Sequence, residues 1–146
     1  MIHLADAEAT EALGAALAAE LRPGDIVALS GDLGSGKTTL ARGLLRGLGH
    51  EGEVASPTFP IVVAYTPPDT RIPLWHVDLY RIEDPAELEE IGLDDALGDA
   101  ALVIEWPERL PSLWPDALIL TLAEQGSGRG LTAKVPPAWG GRWPPR

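Results

Sequence analysis

The chain contains no cysteine. Disulfides, thiolate metal sites and cysteine nucleophiles are therefore excluded, and the absence agrees with a reducing compartment. Asparagine is missing as well. Guanine recognition of the N-K-x-D kind needs that residue, so a GTPase reading fails on the motif. Lysine is scarce: Lys37 and Lys134 are the only two, and 22 acidic against 11 basic residues leave a net charge of −11. Such a balance does not neutralise phosphate backbones, so strong unaided binding to nucleic acid is not expected. No apolar run approaches the roughly 18 residues that cross a membrane. The first residues show neither a basic n-region nor an unbroken apolar h-region, so no signal peptide is expected. No internal repeat is present.

What the 146 residues do have is an ordinary globular composition, 45% apolar and 23% charged. That fits one domain with a real core. Its most informative segment is Gly31–Thr38, G-D-L-G-S-G-K-T, which matches the phosphate-binding pattern G-x-x-x-x-G-K-[ST]. From this chain's own frequencies, a chance match has a probability on the order of 0.2%. The glycines let backbone N–H groups turn towards phosphate oxygens. Lys37 brings a point charge for the β- and γ-phosphates, and the Thr38 hydroxyl can ligate Mg²⁺. Context supports the motif. Asp25–Ser30 is an apolar, β-branched run fit for a buried strand, and Thr39–Leu48 sets Leu40, Leu44, Leu45 and Leu48 on one helical face. The helix also brings the partial positive charge of its N-terminus to the loop.

Around that unit the pattern is α/β. Asp6–Arg22 reads as an Ala-rich helix capped by Asp6 and ended by Pro23-Gly24. Ile61–Tyr65 and Leu74–Leu79 read as strands around a Pro67-Pro68-Asp69 turn. Asp84-Pro85-Ala86-Glu87 starts a helix carrying Leu88 and Ile91. Ala101–Ile104 is a buried-strand pattern broken at Trp106-Pro107. Ala117–Ala123 and Leu131–Val135 suggest a closing hairpin around Gly126–Gly130. The expected fold is a single P-loop NTPase-like domain: a mixed, mostly parallel sheet flanked by helices, with a C-terminal β-hairpin. From Pro136 onward, four prolines and two tryptophans predict an irregular tail, free to be mobile, with Trp139 and Trp143 docking on the body in preference to a partner.

A P-loop needs an acid for Mg²⁺, usually at the end of a neighbouring apolar strand. Glu105 after Ala101–Ile104 and Asp78 after Leu74–Val77 both qualify. His76 and Asp78 share a strand face, but two ligands without cysteine are too few for zinc. Asp78 is better read as a residue that positions water or that supports the cation ligands from behind. Arg81 could meet phosphate or pair with Glu83. Ser56-Pro57-Thr58-Phe59 reads as loop, and a threonine there can reach Mg²⁺ or the γ-phosphate as a switch segment does.

Four runs occur in order: G-D-L-G-S-G-K-T-T at Gly31–Thr39, S-P-T-F at Ser56–Phe59, H-V-D-L-Y-R at His76–Arg81 and I-E-W-P-E at Ile104–Glu108. As a set they closely resemble the bacterial TsaE (YjeE) family of small P-loop ATPases, over roughly residues 5 to 135. The resemblance implies a cytoplasmic, Mg-dependent ATPase. It would help form the threonylcarbamoyl group on adenosine 37 of tRNAs reading codons that begin with A, acting with TsaB and TsaD and meeting tRNA only through them. Residues 1–135 would be the ATPase domain and 136–146 a tail outside the pattern. By similarity, Gly34, Ser35, Gly36, Lys37, Thr38 and Thr39 wrap the phosphates of ATP. Thr38 and Glu105 hold Mg²⁺. Asp78 and Thr58, with Lys37, are the hydrolysis-linked residues. Trp106 is the aromatic beside the site, and Thr10 and Arg129 fall where the family contacts the base end of the nucleotide.

Two other readings share the same loop. A small-molecule kinase would use it to donate phosphate, but the arginines at 71, 81 and 129 are scattered along the sequence. A nucleotide-gated binding module would order the Thr58 loop with little turnover. No arginine finger is evident in cis, so slow intrinsic turnover is expected.

Overall fold

The computed structural model describes residues 2–32, 34–52, 54, 62–110 and 112–145, with Pro85 and Leu88 described by their backbone alone. In chain order the regular elements begin with β1 (Ile2–Leu4), α1 (Ala7–Glu20), β2 (Ile26–Ser30), α2 (Lys37–Gly47), β3 (Val62–Tyr65) and β4 (Leu74–Asp78). They continue with α3 (Pro85–Ile91), α4 (Leu93–Ala96), β5 (Ala101–Glu105), β6 (Leu118–Gln125) and β7 (Gly128–Lys134). The seven strands form one sheet in the order β1-β7-β6-β2-β5-β4-β3. Its centre is parallel: β2 lies between β6 and β5, and β4 follows β5. Both margins are antiparallel, β3 on β4 at one side and β6-β7-β1 at the other.

The parallel centre explains the unbroken apolar runs, because strands covered on both faces have no solvent side. In β2, Val27 and Leu29 point to a core shared with Leu17 of α1 and Leu40, Leu44 and Leu45 of α2. Ile26 points the other way, to a second core with Val77, Leu79 and Leu93. β5 alternates likewise, Ala101 and Val103 against Leu102 and Ile104.

Local chemistry sets the helix ends. Asp6 caps α1 by accepting the Ala9 N–H at 2.8 Å, and Asp84 caps α3 by accepting from Ala86 at 3.0 Å. α2 starts two residues earlier than the periodicity of Thr39–Leu48 suggests, because Gly36, at φ 108°, turns the chain directly into Lys37. α1 and α2 meet backbone to backbone. A Cβ on Gly43 would run into the Glu11 carbonyl, and one on Gly47 would sit 2.7 Å from the Ala15 carbonyl oxygen.

Two further features, β1 and the hairpin loop, differ from the sequence reading, while Trp139 docks on the body as expected. β1 was not expected, since Ile2-His3-Leu4 is too short to show a period. The hairpin loop is only Gly126-Ser127, and Gly128–Gly130 belong to β7. The glycine at 128 belongs to the strand because β1 ends against it: a Cβ there would strike the Leu4 carbonyl. The residues after Val135 reach the core through Trp139, which is fully buried in the same cluster as Leu17 and Leu29. Arg142 stacks 4.0 Å from the Trp139 ring centroid and grips both Asp25 carboxylate oxygens, at 2.6 and 3.1 Å. It also donates to the Glu20 and Ala138 carbonyls at 2.9 Å each.

Trp139→Ala should therefore lower the unfolding free energy by about 3–5 kcal/mol, the usual effect of emptying a large aromatic site. A urea titration checks this, and an unmoved midpoint would show that the segment contributes nothing to the fold.

Candidate functional site

The C-terminal ends of β2, β5 and β4 finish level with one another. Leu29 pairs with Glu105, and Glu105 pairs with Asp78. The loop from Gly31 to Gly36 leaves β2 at this level and enters α2. It uses positive φ at Gly31 (141°), Gly34 (77°) and Gly36 (108°), which a side chain would resist. Lys37, the first residue of α2, is 4% exposed. Its Nζ donates to the Gly31 carbonyl and lies 3.5 Å from the centroid of the Trp106 ring. Burial lowers the ammonium pKa, while Glu105, Glu108, Asp78 and Asp32 oppose that shift.

Thr38 and Glu105 meet directly. The Thr38 hydroxyl donates to Glu105 Oε1 at 3.0 Å, and Glu105 Oε2 lies 2.7 Å from His76 Nε2. Glu105 and His76 are both buried. Asp78 accepts the Tyr80 N–H at 2.9 Å. Burial pushes its carboxyl up; Glu105 adds to the rise, and the Tyr80 bond, His76 and Lys37 work against it.

Trp106 is the one non-glycine residue at positive φ among the described residues, with φ 62° and ψ 51°. Such a conformation costs on the order of 1–3 kcal/mol and persists where the surroundings enforce it. Here it stops β5 and turns the indole over the Lys37 ammonium, a cation–π arrangement. Arg129, at the start of β7, spends its donors on backbone. Nε bonds the Ser35 carbonyl at 3.0 Å, Nη2 the Gly34 carbonyl at 2.9 Å and Nη1 the Gly128 carbonyl at 2.9 Å. Those bonds fix the backbone of the loop where it borders the cavity.

These groups line a cavity of about 370 Å³. Thr10, Gly34, Ser35, Gly36, Lys37, Thr38, Thr39, Asp78, Glu105, Trp106 and Arg129 all border it. Thr58, with the S-P-T-F run, lies outside the described residues. Arg81 is exposed and is not among the lining residues. Five further residues complete the wall: Asp6, Ala7, Tyr80, Ser127 and Gly128. Tyr80 was visible in the H-V-D-L-Y-R run, and its ring packs 4.9 Å from that of Trp106. Asp6 was legible only as a helix cap, and Ser127 and Gly128 only as turn residues.

The donor set suits a phosphate chain with a hard divalent cation. Loop amides and Lys37 suit anionic oxygens. Thr38 and Glu105 place two oxygen ligands side by side, as Mg²⁺ prefers when phosphates and water fill its other positions. The buried Ser35 hydroxyl has no partner among the described residues and is free to serve an incoming group. No group of three or more His, Cys, Asp or Glu side chains poised for a metal occurs among the described residues, and none of their helices is long and apolar enough to cross a membrane.

Known proteins resemble this chain in sequence and in fold. The family model for threonylcarbamoyl adenosine biosynthesis protein TsaE matches residues 4–131. The chain is 48% identical over 117 residues to the tRNA threonylcarbamoyladenosine biosynthesis protein TsaE of Synechocystis sp., covering 75% of this chain and 71% of that protein. To the protein of the same name from Nostoc sp. it is 40% identical over 141 residues, covering 93% and 85%. The crystal structure of Bacillus subtilis YdiB superposes with a TM-score of 0.72 at 31% identity, covering 90% of this chain and 82% of that one.

The buried acid makes a signed prediction. A carboxyl whose folded pKa is raised loses stability as pH climbs from the ordinary carboxylate range through the raised value. Asp78→Asn should therefore be more stable than the parent at pH 7, with the gap closing as the pH falls into the ordinary carboxylate range. Urea unfolding at pH 7 and pH 4 measures it, and a gap that widens on acidification would contradict the burial argument. Arg129→Ala should weaken binding of a fluorescent ADP analogue about tenfold while leaving the fold intact by circular dichroism, as expected when two charge-assisted hydrogen bonds to the loop are lost.

Proposed function

The chain belongs to the TsaE family, and we propose on that basis that it binds and hydrolyses Mg-ATP to support threonylcarbamoyladenosine formation in tRNA. The observation that carries the proposal is the Thr38–Glu105 contact, which borders the same cavity as the glycine loop and the buried Lys37.

In this reading the loop N–H groups and Lys37 hold the β- and γ-phosphates. Lys37 leaves the Gly31 carbonyl to do so, an exchange of one oxygen partner for another. Thr38 and Glu105 hold Mg²⁺, which when bound neutralises charge on the phosphate oxygens. Asp78, at the end of the next strand, orients the attacking water, and its raised pKa suits a group that handles a proton. Thr58 serves as the loop residue linked to hydrolysis, while Thr10 and Arg129 face the base end. Arg129 is the one arginine among the lining residues, and three of its five N–H donors are held by carbonyls. Nothing else on the wall supplies an arginine to the γ-phosphate, which supports slow turnover by the chain alone.

The acidic charge supports an indirect relation to tRNA. A chain of net charge −11 gains little from a phosphate backbone. Contact with tRNA then falls to partner proteins, TsaB and TsaD, in a cytoplasmic complex that raises the ATPase rate.

Lys37→Ala should abolish ATP binding or turnover. Glu105→Ala should reduce Mg-dependent phosphate release by about 100-fold or more while ADP affinity without metal changes little. Asp78→Asn should slow release with ATP still bound. Phosphate-release assays with and without TsaB and TsaD, beside nucleotide titrations, test all three. Wild-type ATP affinity in Lys37→Ala would overturn the site.

A further inference from the structure

We propose that His76 is a positioning residue for Glu105 and so sets how tightly the nucleotide-bound chain holds a divalent cation. The inference rests on the reading of Thr38 and Glu105 as the cation ligands.

The geometry is a chain of three side chains. Thr38 Oγ1 donates to Glu105 Oε1 at 3.0 Å, and His76 Nε2 sits 2.7 Å from Glu105 Oε2. A carboxylate only accepts, so the hydrogen between His76 and Glu105 resides on Nε2. His76 is fully buried on β4, directly across from Val103 of β5 and two residues before Asp78. Its Nδ1 has no partner among the described residues. The imidazole therefore makes one polar contact, and that contact is with the carboxylate. A buried polar side chain with a single bond to a candidate ligand resembles the outer partners that orient metal-binding carboxylates.

Parallel register makes the contact possible. Glu105 pairs with Asp78 across β4 and β5, so His76 lies two residues below that level, within reach of the Glu105 carboxylate. Held at Oε2, the carboxylate cannot rotate, and Oε1 stays aimed at Thr38. Without the imidazole, Oε2 would be a buried acceptor with no donor, and the group would turn to find one. That rotation would draw Oε1 away from Thr38 and divide the two cation ligands. A histidine serving only to fill the core would lower stability when replaced but would leave metal dependence untouched.

The test separates cation affinity from nucleotide affinity. Mn²⁺ binding to the ADP-loaded chain is followed by electron paramagnetic resonance, and a fluorescent ADP analogue is titrated in EDTA and at graded Mg²⁺. His76→Leu should weaken Mn²⁺ binding about 10- to 100-fold. Nucleotide affinity in EDTA should stay within about twofold of wild type. His76→Gln, whose amide can donate from a similar reach, should restore most of the metal affinity. Unchanged Mn²⁺ binding in His76→Leu, or an equal loss in EDTA, would overturn the assignment. Should the leucine variant not fold, His76→Asn against His76→Gln decides: the shorter amide falls short of Glu105, and equal metal affinity in the two would overturn it. Wild-type nucleotide affinity that Mg²⁺ leaves unchanged, with no Mn²⁺ bound, would instead bring down the reading of Thr38 and Glu105 as cation ligands. Metal-dependent wild type with insensitive variants removes only the role of His76.

Discussion

The register of three parallel strands governs everything else in this molecule. Because Leu29 pairs with Glu105 and Glu105 with Asp78, two acidic strand ends and the mouth of the glycine loop lie at one level. A one-residue slip in a strand reverses which side chains face each layer. Here it would send Glu105 away from Thr38 and break up both apolar cores together. Core packing and site geometry are thus enforced by the same backbone hydrogen bonds.

The site gathers features that weigh against stability. An ammonium, two carboxylates and an imidazole are all nearly removed from water within a few residues of the loop. Trp106 holds a backbone conformation that few side chains adopt. Each is offset locally: Lys37 by the Gly31 carbonyl and the indole face, Glu105 by Thr38 and His76, Asp78 by the Tyr80 amide. Stability is recovered away from the chemistry, in the leucine-rich layer under α1 and α2 and in the Trp139–Arg142–Asp25 cluster.

Much of this was legible in the order of residues. The strand–loop–helix unit, the Asp6 and Asp84 caps, and the apolar runs ending in Glu105 and Asp78 each carry their own local signal. The parts that were not legible depend on distant segments meeting. β1 has three residues and takes its identity from pairing with β7. Gly128 reads as a turn glycine until the Leu4 backbone is seen against it. His76 reads as a strand histidine sharing a face with Asp78, and its contact with Glu105, 29 positions away, comes from the fold. Arg129 reads as a nucleotide contact by resemblance, and its bonds to the Ser35 and Gly34 carbonyls come only from the fold.

The glycine seam between α1 and α2 has a mechanical consequence. With their backbones in close contact at Gly14, Gly43 and Gly47, the two helices have little room to slide across one another. Thr10 on the first and Lys37, Thr38 and Thr39 on the second therefore travel as one rigid body. Any breathing of the cleft has to come from its opposite jaw, the hairpin tip at Ser127 and the segment beyond Asp78 that carries Tyr80.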